Sequence, residues 1–128
     1  MKRALADTSY FITSGEGREA PIDQAYELAV SVVTIGELRA GVLLADDPAT
    51  TAQRLRTLNA AELLDPLPID EHVADAWSEL RVTLRRQERR QLRASDSWIA
   101  ATAIANGLPI LTLDSDFADV PGLDVVTS

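Results

Sequence analysis

The sequence predicts an α/β fold, a three-layer α/β/α sandwich around a mainly parallel sheet of about five strands. Three observations carry this expectation. Short apolar runs alternate with helical patterns along the chain, the arrangement that buries a parallel sheet between two helical layers. Acidic residues fall just past several of those runs, where an open parallel sheet places its ligand site. At 128 residues the chain can bury one core and is too short for two comfortable ones, so residues 1–128 read as a single domain.

Each element has its own signal. The apolar residues 4–6 form a first strand that runs into Asp7, and residues 8–13 continue as a helix that the Gly15, Glu16, Gly17 stretch ends. Pro21 at a helix start, with Ile22, Tyr26 and Ala29 spaced along one face, predicts a second short helix. Residues 30–33 are β-branched enough for a strand. Residues 34–45 then line Ile35, Leu38, Val42 and Ala45 on one helical face. Pro48 opens a helix carrying Leu55 and Leu58, and residues 63–67 make a strand that Pro66 interrupts and Pro68 ends, which suits an edge. Asp70 is a good N-cap for a long helix with Val73, Trp77, Leu80 and Leu84 on its apolar stripe. A helix over residues 95–106 closes on Gly107, and strands follow at residues 110–113 and at Val125 and Val126.

Composition narrows the function classes. Hydrophobic content of 46% and charged content of 25% are ordinary for a globular protein, and no stretch reaches the roughly 18 apolar residues a membrane helix needs. Met1, Lys2 and Arg3 are followed by only three apolar residues before Asp7, so no secretory leader is expected. The chain has no cysteine, which excludes disulfides and thiol chemistry and suits a reducing cytoplasm. A net charge of −8 looks wrong for a nucleic-acid protein, but its distribution is uneven. Of the twelve cationic residues, Arg81, Arg85, Arg86, Arg89, Arg90 and Arg93 fall in one short segment.

The acids point to a cation. Asp7 follows the first strand, Glu37 lies near the start of the helix after the second, and Asp114 and Asp116 follow the strand at residues 110–113. Asp96 opens an alanine-rich helix that can pack close to the sheet. Each acid also has a local reading: Thr34 with Glu37 forms a T-x-x-E capping box, Asp7 or Thr8 can cap the first helix, Ser95 or Asp96 can cap the helix at 95–106, and Asp114 with Asp116 can form a solvated turn. Their coincidence at one rim is harder to explain by capping. A helix N-terminus stabilises one carboxylate by less than ~2 kcal/mol, too little to hold several unpaired acids together. Oxygen-only donors favour Mg²⁺ or Mn²⁺, and a chain without cysteine and with His72 as its one histidine argues against zinc. Hard divalent cations on carboxylates are the equipment of phosphodiester hydrolysis.

Four stretches, LADTS at 5–9, TIGELRAG at 34–41, ASDSWIAATA at 94–103 and TLDSDF at 112–117, together resemble the PIN-domain ribonucleases, more closely the VapC toxins of type II toxin-antitoxin pairs. The resemblance runs over nearly the whole chain, with all four motifs in family order. It implies a PIN-like fold and a Mg²⁺-dependent endoribonuclease in which Mn²⁺ substitutes. Asp7, Glu37 and Asp96 match the family's first three metal-site acids, and both Asp114 and Asp116 fit the fourth. It also implies that Thr8 or Ser9 supports the first acid and that Thr112 lies near the metal pocket, whereas Leu113 stands where many relatives carry a basic residue. The implied partners are a VapB-like antitoxin, an RNA substrate and a second copy of the chain, the last through exposed hydrophobes of residues 35–45.

The same residues speak against rival functions. A haloacid-dehalogenase-like phosphatase or a phosphoacceptor receiver would need a lysine late in the chain, and Lys2 is the only lysine. A catalytically silent RNA- or protein-binding module of PIN-like shape would keep the fold and lose acids, but every matched acid is present. The six arginines, extended on the helix from Asp70, would share about half its circumference, away from the apolar stripe. A solvated face is the ordinary explanation of such a run. Here it holds half the cations of an acidic protein and leads to Asp96 within three residues, so Arg85, Arg86, Arg89 and Arg90 are expected to grip RNA phosphates beside an acidic pocket that would otherwise repel them.

Overall fold

The computed structural model describes residues 2–17 and 26–126. Among these, four parallel strands form one sheet in the order β2-β1-β3-β4. The strands are β1 (Lys2–Ala6), β2 (Tyr26–Ala29), β3 (Ile110–Leu111) and β4 (Val125–Val126), and the helices are α1 (Thr8–Gly15), α2 (Val32–Leu44), α3 (Pro48–Glu62), α4 (Glu71–Arg86) and α5 (Ala94–Ala105). Leu5 pairs with Ile110 and Ala6 with Leu111, so β1 and β3 lie side by side and end together.

The alternation of strand side chains sorts the core into two layers. Ala4, Ala6 and Leu111 face one side and pack with Tyr10 and Phe11 of α1, Ile35 and Leu38 of α2, and Leu58 and Ala61 of α3. Leu5, Ala29 and Ile110 face the other and pack with Leu80 and Leu84 of α4, Ile99, Ala100 and Ala103 of α5, and Phe117. The expected three-layer α/β/α sandwich follows directly. Alanines at positions 4, 6, 100 and 103 are fully buried, and small side chains of this kind let helices approach the sheet closely.

Three elements differ from expectation, each for a physical reason. Residues 63–67 do not form a strand, because Asp65 adopts a left-handed backbone (φ 52°) and Pro66 has no N–H to give. Only Leu67 reaches the sheet region, donating to Val30 O and accepting from Val32 N–H in a single bridge, which leaves four strands rather than about five. Tyr26 and Ala29 belong to a strand rather than a helix: pairing with residues 2–5 of β1 outweighs a weak local helical pattern, while Pro21 and Ile22 lie outside the described residues. The strand expected at 30–33 is displaced accordingly. Val30 is buried and Ser31 caps α2, its Oγ accepting from Val33 N–H at 3.0 Å, so Val32 and Val33 are already helical.

The fourth departure concerns the arginines. α4 stops at Arg86, and the chain turns through Glu88 in a left-handed conformation (φ 54°). Arg89 N–H reaches back to Leu84 O at 2.8 Å and Glu88 N–H to Arg85 O at 3.0 Å, a Schellman-type closure built without glycine. Arg81, Arg85 and Arg86 are therefore helical, whereas Arg89, Arg90 and Arg93 lie on the connection to α5. The continuous arginine face is replaced by a helix end plus a loop.

Candidate metal centre

β1 and β3 are central and parallel, so whatever follows them emerges at the same edge. Asp7 N–H donates to Leu111 O at 3.1 Å, which locks the first residue beyond β1 against the last residue of β3. Asp7 is also the N-cap of α1, with its Oδ1 accepting from Tyr10 N–H at 3.0 Å and from Ser9 Oγ at 2.8 Å. Its other oxygen accepts from Thr112 Oγ1 at 2.5 Å. The capping reading of Asp7 is therefore met, and the same carboxylate stays at the edge where β1 and β3 end.

Thr112 explains why β3 is shorter than residues 110–113. Its hydroxyl donates to Asp7 and accepts from Asp114 N–H at 2.9 Å, so the chain folds back at once. Asp114 then accepts from Asp116 N–H at 2.9 Å through Oδ1 and starts a short 3-10 turn, Ser115–Phe117, anchored by the buried Phe117. This turn brings Asp116 back to the rim. Carboxylate oxygens of Asp96, Asp114 and Asp116 lie within 4.8 Å of one another.

Glu37 arrives by a route the sequence did not suggest. Because α2 begins at Val32, Glu37 is in its second turn and Thr34 is not the N-cap, so the capping box is not formed. Thr34 is instead fully buried, and Thr8 Oγ1 donates to Glu37 Oε1 at 2.6 Å while lying 3.1 Å from Thr34 Oγ1. Ser9 supports Asp7 and Thr8 supports Glu37, so both hydroxyl residues after Asp7 have a use. Asp7 and Glu37 stand outside the 4.8 Å group of three: Thr112 links Asp7 to Asp114, and Glu37 acts on Asp96 through charge.

Asp96 is the third residue of α5 and is 6% exposed. Neither it nor Ser95 caps the helix: Arg93 occupies the cap position without a side-chain bond. Arg93 instead places Nε 3.3 Å from Asp96 Oδ2, and among the described residues this is the one ion pair any of the five acids makes. The only sequence signal for this pair is the i,i+3 spacing of Arg93 and Asp96. His72 is exposed at the start of α4 and stands apart from the acids that converge.

Electrostatics describe a centre short of positive charge. Burial pushes the Asp7 carboxyl up, reinforced by the Asp114 charge and opposed by the hydrogen bonds from Thr112, Ser9 and Tyr10 N–H. Burial also raises Asp96, with Asp114 and Glu37 adding to the shift and Arg93 offsetting part of it. A carboxyl raised on folding favours the protonated fold. Its stabilising contribution is complete below the ordinary value of 3.8 and is lost as pH climbs through the raised value. Thermal unfolding in chelator should therefore find Asp7→Asn and the parent alike near pH 4, with Asp7→Asn the more stable by a margin that widens toward pH 7. A margin independent of pH would remove burial of the Asp7 charge as the cause.

The donor set fits a hard divalent cation. All donors are oxygens, and carboxylate oxygens of three residues lie within 4.8 Å of one another, close enough for one cation to draw them together. Two adjoining clefts carry arginines, and one of them reaches the acids. Arg81, Arg85, Arg89 and Gln91 line one, and Arg89, Arg90, Gln91 and Arg93 line the next, which opens on Asp116. Arg86 lines neither. A further groove between α1, α2 and α3 is lined by Ile12, Leu38 and Arg54 and reaches Glu37.

Comparison with known proteins places this arrangement among relatives. The family described as PIN domain matches residues 4–123. The chain is 49% identical over 128 residues to ribonuclease VapC4 of Mycobacterium tuberculosis (strain ATCC 25618 / H37Rv), covering 99% of this chain and 98% of that one. It is 43% identical over 121 residues to ribonuclease VapC5 of the same organism, covering 92% and 87%. In three dimensions it is similar to a chain of the toxin-antitoxin complex VapBC-5 from Mycobacterium tuberculosis, with TM-score 0.84, 36% identity and full coverage of both. It also resembles a chain of VapBC2 from Rickettsia felis, bound to a DNA fragment from their promoter, with TM-score 0.81 and 98% coverage of both; at 18% identity that likeness is one of fold.

Proposed function

The chain belongs to the PIN-domain family and, within it, to the VapC ribonucleases, and from that premise we propose that it is the toxin of a VapBC-type pair, a metal-dependent endoribonuclease that hydrolyses phosphodiester bonds in RNA. The observation that carries the mechanism is the convergence of Asp96, Asp114 and Asp116 within 4.8 Å, beside an Asp7 held by three hydrogen bonds. Asp7, Glu37, Asp96, Asp114 and Asp116 are the catalytic and metal-holding acids of this reading, with Mg²⁺ as the cation and Mn²⁺ as its substitute. Residues 1–128 act as one ribonuclease domain.

Bound at these carboxylates, a cation of this kind supplies a water-derived nucleophile at neutral pH and offsets charge building on the phosphate. The chain does the rest. Thr112 and Ser9 hold both oxygens of Asp7, Thr8 holds Glu37, and the turn of residues 115–117 keeps Asp116 within reach of Asp96. Five acids repel an RNA backbone, so phosphate must be gripped elsewhere. Arg89 and Arg90 line the cleft that reaches Asp116, Arg85 lines the one adjoining it, and all three are exposed and have no acidic partner among the described residues. We assign them the RNA phosphates and give Arg86, also exposed, a weaker share through charge alone.

The partner is a VapB-like antitoxin, which the toxin-antitoxin pairing of the VapBC-5 relative supports. The groove lined by Ile12, Leu38 and Glu37 is where such a partner would reach the edge of the acids at Glu37. A homodimer is also part of this reading. Of residues 35–45, Ile35 and Leu38 are buried and Val42 packs on the core, so Leu43 and Leu44, 80% and 74% exposed, are the hydrophobes left for that contact. RNA as substrate and a chain without cysteine suit the cytoplasm.

The test is cleavage of RNA by the purified chain, expected with Mg²⁺ or Mn²⁺ and lost in chelator. Cleavage that persists in chelator overturns the metal-dependent reading. In the same assay, replacing Arg85 and Arg89 by Ala should raise KM, leave kcat little changed and reduce the salt slope by about two. An unchanged KM and slope returns those arginines to a solvated surface.

A further inference from the structure

The first turn of α5 carries Asp96, yet that turn lacks the usual brace. Helix starts are held by a side chain that accepts from the free N–H groups of the first turn, and Arg93 at the cap position supplies none. A first turn with no such acceptor, spanned at its start by the largely exposed Arg93–Asp96 pair, frays, whereas Asp96 must keep its oxygens within 4.8 Å of those of Asp114 and Asp116. Something else fixes it.

That something lies on α4. Trp77 Nε1–H donates to Ser97 Oγ at 3.1 Å, and Ser97 Oγ in turn donates to Ala94 O at 2.6 Å. The relay spans the turn from its first residue to its fourth and anchors it to a neighbouring helix. Ser97 is 3% exposed, so water does not compete for its hydroxyl. Trp77 is itself immobilised. Its ring stacks on Trp98 with centroids 4.6 Å apart and planes 4° from parallel, and Arg81 Cζ lies 4.8 Å from its centroid. The sequence marks Trp77 only as a member of the apolar stripe of α4, a role that phenylalanine would fill equally well.

We propose that Trp77 is a positioning residue for Asp96: its indole N–H, relayed through Ser97 Oγ, holds the uncapped first turn of α5 in register with the acidic rim. The proposal rests on the reading of Asp96 as a metal-holding acid. It assigns the indole nitrogen a purpose distinct from the packing of the ring. Removing the N–H while keeping an aromatic ring should therefore loosen one turn and weaken metal binding, without unfolding the interface of α4 with α5.

The test compares Trp77→Phe, Ser97→Ala and the double variant in two measurements. In metal-free protein, amide hydrogen exchange at Ser97 and Trp98 should quicken about tenfold in Trp77→Phe, with exchange in the middle of α4 unchanged. Mn²⁺ titration followed by electron paramagnetic resonance of the free ion should give a dissociation constant raised about tenfold, at the lower end of what loss of an outer partner of a metal ligand costs. The double variant should match Ser97→Ala, because both substitutions break the same relay. Unchanged exchange in Trp77→Phe overturns the proposal, as does a Trp77→Phe effect that persists at full size in the Ser97→Ala background, which would trace it to packing. The exchange measurement needs no metal and no RNA. A parent chain that binds no Mn²⁺, or binds it and cleaves no RNA, would therefore count against the proposed function while the relay is still judged by exchange.

Discussion

Asp7→Asn and Asp96→Asn are each expected to reduce RNA cleavage by at least about 100-fold, beyond the 10–100-fold that loss of an outer partner of a metal ligand brings. Each substitution removes a negative charge from the centre and exchanges one carboxylate oxygen for an amide nitrogen, a poor donor to a hard cation. Neither should unfold the chain. Asn caps helices as well as Asp, so the bond from Tyr10 N–H to position 7 survives, and position 96 loses only a pairing with Arg93, whose side chain is 70% exposed. Burial of both acids means the metal-free variants should melt at or above the metal-free parent at neutral pH. Initial rates on RNA and melting curves in chelator decide this together: a folded variant that cleaves at the parent's rate takes its residue out of the reaction.

The link from sequence to site is legible where one residue satisfies a local rule and a global one. Asp7 ends an apolar run and starts a helix, so the sequence alone places it at the sheet edge. The same holds for Asp114 and Asp116 after Ile110 and Leu111, and for the apolar stripe of α4. Legibility fails where pairing at long range decides the outcome. Tyr26 to Ala29 carry a helix-like spacing, and only the presence of β1 alongside makes them a strand. Glu37 has a local explanation in Thr34, yet its partner is Thr8, 29 residues away.

Backbone conformations without a sequence marker are also unreadable. Glu88 and Asp65 take left-handed φ values of 54° and 52° where glycine or asparagine would have announced them. The first ends α4 early and splits the arginines between helix and loop. The consequence for function is direct, since the loop set, Arg89, Arg90 and Arg93, approaches Asp116 in a way a straight helix would not allow. Arg93 shows the same economy: it is the cation that partly neutralises Asp96 in the protein alone, in the field of Asp114 and Asp116 as well.

Asp114→Asn is expected to cost more activity than Asp116→Asn, and the hydrogen bonds supply the reason. Asp114 is half-buried, donates its N–H to the same Thr112 hydroxyl that holds Asp7, and raises the carboxyls of both Asp7 and Asp96 by its charge. It is the one acid of the pair coupled to both halves of the centre. Asp116 is exposed, lines the arginine cleft and is tied to the group of three only through Asp114, which accepts from its N–H. Water can replace a ligand at an exposed position more readily, as suits Mg²⁺, which keeps several waters. Loss of Asp114 should therefore approach the roughly 100-fold expected for Asp7, with a higher Mn²⁺ requirement, while loss of Asp116 stays nearer tenfold and is largely recovered at high Mn²⁺. Removing the Asp114 charge should also stabilise the metal-free protein more than removing that of Asp116, because repulsion among buried groups is screened less. Cleavage rates of the two variants across a Mn²⁺ titration settle the order. A larger loss in Asp116→Asn reverses the assignment, and parental rates in both would reduce the turn after β3 to a solvated pair of acids.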